Sequence, residues 1–182
     1  LEDSRELNIG LPVQGIGSFR LSAFLQRGSI SAVIRFIPHD IPRLDALHLP
    51  EVLKDLILER RGMILVVGAA GSGKSTTIAS MIDHRNELIT GHVLTFEDPI
   101  EFLFRNKKSI VNQREIGSDA RTLQAALKSA MRQAPDVIFI GEMPDKNTML
   151  AAIQAAETGH LVFGSLHTAD TMQAVVRILQ FF

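Results

Sequence analysis

The sequence predicts an α/β protein built on a mainly parallel sheet, and three observations support this. After residue 44, short apolar runs alternate with longer segments in which apolar residues recur at helical spacing. The short runs are almost continuously apolar, which is typical of strands buried on both faces. A glycine-rich loop at 68–76 separates the first such run from the first long helical segment. Strands that alternate with helices in this way form parallel sheets covered on both sides.

The positions of the individual elements follow from the same periodicity. Strands are expected at 63–67, 92–96, 137–140 and 161–165, and helices at 74–85, 120–133, 147–158 and 171–180. A helix is also expected between 44 and 60. Its predicted apolar face consists of Leu49, Val52, Leu53, Leu56 and Ile57.

The first part of the chain has the pattern of an antiparallel sheet. Polar and apolar residues alternate over 18–24, as in a strand with one buried face. A turn is predicted at 26–29, and a second strand at 30–37. These segments together predict a hairpin.

Two prolines mark the predicted boundary between domains. Pro38 and Pro42 interrupt the strand pattern, because proline cannot donate a hydrogen bond to a strand ladder. The last residue, Phe182, falls inside an apolar periodic run, so we interpret the chain as a piece of a longer one. The predicted divisions are a first domain at 1–37, a linker at 38–43 and a C-terminally truncated α/β domain at 44–182.

Composition excludes several classes of site and partner. The 182 residues include no Cys, which excludes a disulfide framework and a Cys-ligated zinc site. The 19 basic and 20 acidic residues give a net charge of -1 and form no basic stripe, so we expect no nucleic-acid partner. No apolar run approaches the roughly 20 residues that cross a bilayer. We therefore expect no direct membrane insertion.

The strongest functional motif is the glycine-rich loop, which fits the pattern G-x-x-x-x-G-K-[ST]. The loop consists of Gly68, Ala69, Ala70, Gly71, Ser72, Gly73, Lys74, Ser75 and Thr76. Glycines allow the backbone N–H groups to face a phosphate chain, and the helix that follows adds its positive dipole end. Lys74 is expected to reach the β- and γ-phosphates of ATP, and the Ser75 hydroxyl to bind Mg²⁺. The alternative is a glycine-rich turn before a buried helix.

Three carboxylates follow the predicted strand at 92–96. Glu97, Asp98 and Glu101 are placed beyond a carboxyl end, where ligands bind in α/β sheets. Glu97 and Asp98 are candidates to hold Mg²⁺ or its waters, and Glu101 is a candidate to orient the attacking water. A charged, solvated loop is the alternative.

A fourth carboxylate follows the strand at 137–140. Glu142 lies where a base could polarise water for attack on the γ-phosphate, with Gly141 where a Walker B motif has Asp. Its alternative role is to cap a helix.

Polar residues also follow the strand at 161–165. Ser165, His167 and Thr168 resemble a γ-phosphate sensor. His160 fits a structural role, and the alternative is a metal pair with His167.

Taken in order, these motifs resemble the secretion-ATPase superfamily of type II and type IV secretion, and most of all the PilT-like twitching-motility ATPases of type IV pilus retraction. Residues 96–102 resemble the Asp box of that family, 136–143 its atypical Walker B motif and 155–168 its His box, while 109–115 resemble the segment between the first two. Residues 19–28 resemble the final sheet of its PAS-like α+β domain. The resemblance therefore implies a RecA-like P-loop NTPase core preceded by the end of a PAS-like domain.

The resemblance also implies a mechanism and partners. It implies Mg²⁺-dependent ATP hydrolysis by a homohexameric motor that acts on a platform protein of the inner membrane, from the cytoplasmic side. Arginines of the first domain would reach the nucleotide of a neighbouring subunit, and the candidates are Arg20, Arg27 and Arg35.

The sequence departs from the family at two places. Pro144 stands where the family has Arg, and Ala69-Ala70 stand where it has Pro-Thr. Pro144 leaves open a weakly hydrolytic nucleotide-binding paralogue. An extension or type II secretion ATPase and a DNA-translocating RecA-like ATPase are further alternatives, and the net charge of -1 opposes the last.

Overall fold

The structure is a computed structural model that describes residues 6–13, 16–37 and 40–182. These residues form two separate β-sheets together with the helices that accompany them. The chain divides into two compact units, with the boundary between Ile41 and Pro42. Pro38, at the start of the predicted linker, lies outside the described residues. The identities predicted for the two domains stay predictions.

The first unit contains a three-stranded antiparallel sheet in the order β1-β2-β3. Its strands are β1 (Glu6–Val13), β2 (Gly17–Gln26) and β3 (Ser29–Ile37). Arg27 and Gly28 connect β2 to β3 with φ angles of 49° and 79°, which is the conformation of a two-residue hairpin turn. The predicted hairpin is therefore confirmed. β1 was missed as a separate strand, although its apolar residues alternate.

The second unit contains a five-stranded sheet in the order β4-β8-β7-β5-β6, and every pair of neighbours is parallel. Its strands are β4 (Gly62–Val67), β5 (Gly91–Glu97), β6 (Ser109–Glu115), β7 (Val137–Ile140) and β8 (Leu161–Leu166). The predicted α/β fold with a mainly parallel sheet is thus confirmed. Strand β6 was not predicted, because its only apolar residues, Ile110 and Val111, are adjacent and show no strand period. It lies at the edge of the sheet.

Five α-helices accompany this sheet in the described part of the chain. They are α1 (Val52–Leu56), α2 (Lys74–Leu88), α3 (Leu123–Ala130), α4 (Lys146–Glu157) and α5 (Thr171–Leu179). Thr122, Asp145 and Asp170 cap the last three, because each side chain accepts a hydrogen bond from the backbone N–H three residues later. None of the described helices is long and apolar enough to span a bilayer.

The helix predicted between 44 and 60 is wrong as a continuous element. A single 3-10 turn at Leu44–Leu47 is followed by the short helix α1. His48 between them adopts a left-handed conformation, with φ 51°, and Pro50 has no N–H to continue a helix. Similarly, α3 begins later than the predicted residue 120 because Thr122 caps it from an extended conformation.

Alternate residues of the strands face opposite layers of helices. Leu94, Ile138 and Val162 belong to a core shared with α3, α4 and α5. Val93 and Phe163 belong to a second core, shared with α1 and α2. Each of these buried apolar side chains contributes about 1.5–3 kcal/mol to folding. The two cores hold the sheet between its helices and leave its carboxyl edge for the loops.

Asn86 of α2 fixes the start of β6. Its side chain is fully buried and donates to the carbonyl of Arg105 at 2.7 Å. Its Oδ1 atom accepts from the backbone N–H groups of Lys107 and Ser109, both at 3.2 Å. The side chain thereby replaces hydrogen bonds that the connecting loop cannot make to another strand.

We predict that Asn86→Ala lowers the free energy of unfolding by about 2–4 kcal/mol, because it leaves the buried Ser109 N–H and two partly buried backbone groups without partners. Urea unfolding followed by circular dichroism measures this. Asn147→Ala, an exposed site in α4, is the matched control and should change stability by less than about 0.5 kcal/mol. Equal effects of the two substitutions would contradict the role given to Asn86.

Candidate active site

Each motif singled out in the sequence follows one strand of the parallel sheet. The glycine-rich loop follows β4, Glu97 ends β5, Glu142 follows β7 and His167 follows β8. In the sheet, β4 lies beside β8, β8 beside β7, and β7 beside β5. The motifs are therefore arranged along one edge in the order Lys74, His167, Glu142, Glu97.

The loop after β4 has the backbone geometry of a phosphate cradle. Gly71 and Gly73 have φ angles of 76° and 92°, which favour glycine over other residues. A Cβ atom at Gly68 would collide with the Ser72 hydroxyl. Gly73 is also the N-cap of α2 and offers no capping side chain, so the first N–H groups of that helix are left for an anion.

Lys74 is held inside this loop. The side chain is 7% exposed, and its Nζ donates to the carbonyl oxygens of Gly68 and Ala69, each at 2.9 Å. A third neighbour is the Nδ1 atom of His167 at 3.3 Å. The carbonyls and the imidazole supply the polar partners that a buried ammonium requires.

His167 links the loop to the next motif. Because an ammonium group can only donate, Nδ1 of His167 is the acceptor, and the proton of the neutral ring lies on Nε2. Nε2 faces the Oε2 atom of Glu142 at 3.7 Å, which is longer than a hydrogen bond. Both side chains remain about half exposed, at 47% and 56%. The imidazole thus lies between a P-loop ammonium and a solvent-facing carboxylate.

The ends of β7 and β8 are fixed by direct hydrogen bonds. Ser165 donates its hydroxyl proton to the carbonyl of Gly141 at 2.5 Å, and the backbone N–H of Met143 donates to the carbonyl of Ser165 at 3.1 Å. Glu142 lies between these two contacts. Its backbone is therefore well determined, while its side chain stays free to face solvent.

Glu97 is the buried acid of the site. Its residue exposure is 6%, and this burial raises the pKa of its carboxyl above the ordinary value. The hydroxyl of Thr95 donates to Oε1 at 2.6 Å and the side-chain amide of Gln113 donates to the same atom at 3.1 Å, and both contacts lower the pKa. The backbone N–H of Glu101 also lowers it. Asp98 and Glu101 are exposed.

The described residues contain no group of three or more His, Cys, Asp or Glu side chains close enough to hold a metal ion. Mg²⁺ in nucleotide sites is bound by one or two protein ligands together with phosphate oxygens and water. Ser75 is partly exposed at the start of α2, and Asp98 is exposed after β5, so both can offer oxygen to such an ion. This donor chemistry fits Mg²⁺.

The remaining predicted residues lie elsewhere. His160 receives a structural role, because its Nδ1 lies 2.9 Å from the carbonyl of Ala155 at the end of α4. Arg20 and Arg35 lie directly opposite each other on β2 and β3, and Arg27 is in the turn between them. The role expected for these arginines, contact with the nucleotide of a neighbouring subunit, stays a prediction.

Sequence reasoning missed Thr95 and Gln113. The two residues are register partners on β5 and β6, and both contact Glu97. A signal existed, since a polar residue within a buried strand needs a partner. It could not be used without knowing that β6 pairs with β5.

The parallel sheet, with a glycine-rich loop between β4 and α2, has the architecture of RecA-like P-loop nucleotide-binding proteins. The family described as type II/IV secretion system protein matches residues 4–182, and the chain belongs to this family.

Similar proteins support this membership. The type IV pilus ATPase PilU of Pseudomonas aeruginosa is 48% identical over 99% of this chain and 47% of its own length. The retraction ATPase PilT of the same organism is 44% identical over the whole chain and 53% of its own length. A crystal structure of the pilus retraction motor PilT with bound ADP has a TM-score of 0.97 at 49% identity, over the whole chain and 53% of that structure. The chain thus spans about half the length of these relatives.

We predict that Lys74→Ala strongly weakens nucleotide binding, because the ammonium that neutralises the phosphates is removed. Isothermal titration of the full-length protein with ADP measures the affinity. Lys128→Ala, an exposed lysine of α3, is the control and should bind ADP normally. Unchanged affinity in Lys74→Ala would contradict the assignment of the loop.

Proposed function

We propose that this protein hydrolyses ATP with Mg²⁺ and drives pilus retraction, and with it twitching motility, as a hexameric motor. One observation carries the catalytic part: His167 lies between the P-loop ammonium of Lys74 and the outward carboxylate of Glu142. If the triphosphate of ATP binds in the loop, its γ-phosphate would lie next to this row of groups.

The residues of the site have distinct proposed roles. The N–H groups of 68–76 and the ammonium of Lys74 bind the phosphates, and Lys74 exchanges its loop carbonyls for phosphate oxygens. Ser75, with Asp98 and Glu97, would hold Mg²⁺ or its waters, which would supply positive charge to the phosphate groups. Glu142 polarises the attacking water, with Glu101 as the second candidate, and His167 senses the γ-phosphate.

The proposal also specifies pilus retraction rather than pilus extension or type II secretion. Its support is the similarity to PilU and PilT over the whole chain, whereas the type IV pilus assembly ATPase PilB of Myxococcus xanthus matches over 70% of it. A homohexamer, a platform protein in the inner membrane as partner, and a location at the cytoplasmic face of that membrane belong to the same proposal. Extension and type II secretion are the alternatives.

A second candidate is a weakly hydrolytic nucleotide-binding paralogue, which Pro144 favours. This residue is exposed immediately before Asp145, the N-cap of α4. The site therefore lacks any ion pair that an Arg would form there. The ATPase rate of the full-length protein decides between the candidates.

We predict that Glu142→Gln retains ADP affinity but lowers the rate of ATP hydrolysis by about 10²–10⁴-fold, because an amide cannot act as a base. A phosphate-release assay measures the rate. Glu59→Gln, an exposed position before β4 and outside the motifs, is the control. Loss of binding with normal turnover per bound nucleotide would make Glu142 structural and Glu101 the base.

We further predict that hydrolysis requires assembly, because an arginine from the first unit acts on a neighbour's nucleotide. Such an arginine is worth roughly 10³–10⁵-fold in rate. Lys74→Ala subunits and subunits with Arg20, Arg27 and Arg35 replaced by Ala should each be inactive, and mixtures should regain activity. A monomer that hydrolyses ATP at the full rate would disprove this.

A further inference from the structure

The loop between β5 and β6 is fastened by side chains rather than by a strand ladder. The backbone N–H of Ile100 donates to Oε2 of Glu115 at 3.1 Å, and that of Phe104 donates to Oε1 of Gln113 at 2.9 Å. The amide of Gln113 also donates to the carbonyl of Phe102 at 2.8 Å. Two side chains of β6 therefore hold the part of the loop at 100–104, which carries Glu101, while Asn86 holds the later part.

Gln113 connects this loop to the buried carboxylate. Its Oε1 atom must be the acceptor for the Phe104 N–H, so the orientation of the amide is fixed. Nε2 then has two protons, of which one serves the Phe102 carbonyl and the other serves Glu97 at 3.1 Å. The side-chain amide of Gln113 thus makes hydrogen bonds to three groups: the Phe104 N–H, the Phe102 carbonyl and the Glu97 carboxylate. A shift of any one of these groups would disturb the hydrogen bonds to the other two.

Glu97 is the buried partner of Gln113 in this network. Its carboxylate is almost fully buried and accepts from the Thr95 hydroxyl at 2.6 Å. The backbone N–H of Glu101 lowers the pKa of this carboxyl. The Glu101 side chain is exposed at the carboxyl edge of the sheet. A buried, hydrogen-bonded layer therefore supports an exposed acid.

We propose that Gln113 is a positioning residue that, together with Glu97, fixes the loop carrying Glu101 at the ATP site. This inference rests on the proposed function, and it takes Glu101 as an acid that orients the attacking water in addition to Glu142. Gln113 touches neither nucleotide nor water in this scheme; it acts by restricting where the Glu101 carboxylate can lie. Misplacement of a catalytic group by about 1 Å can cost about 10²-fold in rate.

The first test compares Gln113→Glu with Asn112→Asp in the full-length protein. Both convert an amide to a carboxylate on β6, but only the first removes donors to Glu97 and Phe102, whereas Oδ1 of Asn112 faces His92 at 2.9 Å and is retained in Asp. We expect Gln113→Glu to lower kcat about 10- to 100-fold with ADP affinity within about threefold. Asn112→Asp should leave kcat and ADP affinity unchanged. An unchanged kcat in Gln113→Glu overturns the proposal.

The second test determines whether Gln113 acts through Glu101. In a Glu101→Gln background, Gln113→Glu should cause no further loss of kcat, because the group that it positions is already absent. Independent, multiplying losses would overturn the proposal, as would a Glu101→Gln protein with normal kcat. Neither result would affect the assignment of the protein as an ATPase if the unsubstituted protein hydrolyses ATP.

A third measurement needs no activity and covers a variant that is poorly folded or inactive. Hydrogen exchange of peptides spanning 98–108 should be faster in Gln113→Met than in the unsubstituted protein, while peptides from α4 exchange at the same rate. Unchanged exchange in 98–108 overturns the proposal whatever the ATPase rate. If the unsubstituted protein neither binds ADP nor hydrolyses ATP, the proposed function fails, and with it the inference, even when the exchange result is as expected.

Discussion

In the second unit every neighbouring pair of strands is parallel, so all carboxyl ends emerge at one edge of the sheet. Helices connect β4 to β5, β6 to β7 and β7 to β8 across the faces of the sheet, whereas a loop at 98–108 connects β5 to β6. The two cores on those faces bury the helices. Residues far apart in sequence meet as a result. Lys74 and His167 lie 93 positions apart, yet their nitrogens are separated by 3.3 Å because β4 and β8 are neighbours.

Two buried charged groups lie at this edge, and each is satisfied in a different way. Lys74 uses backbone carbonyls of its own loop, which are contacts that a phosphate can replace. Glu97 uses the side chains of Thr95 and Gln113, which are packed within the sheet. Exchange of partners is therefore built into the lysine side of the site, whereas the glutamate side is rigid.

The sequence predicted the parts of this arrangement that depend on local pattern. The loop at 68–76 and the strand at 137–140 have signatures that lie within a few residues, so their positions follow from spacing alone. β6 and Gln113 could not be found in this way, because their roles depend on pairing with β5. The helix expected between 44 and 60 failed for a local reason, the left-handed His48 and Pro50, which outweighed the apolar period.

Gly141 explains why the acids of the site lie where they do. It occupies the strand end at which a Walker B motif has Asp, and its N–H donates to the carbonyl of Phe96 at 2.8 Å. A Cβ atom there would lie 3.3 Å from both the Cα of Glu97 and the carbonyl oxygen of Phe96, which are backbone atoms that cannot easily move. A side chain at 141 would therefore require the backbone of β5 to shift by a few tenths of an ångström. Glu97, at the end of β5, and Glu142, one residue after Gly141, place carboxylates on either side of this close contact. Because β5 and β7 are neighbours, both carboxylates lie at the same edge of the sheet.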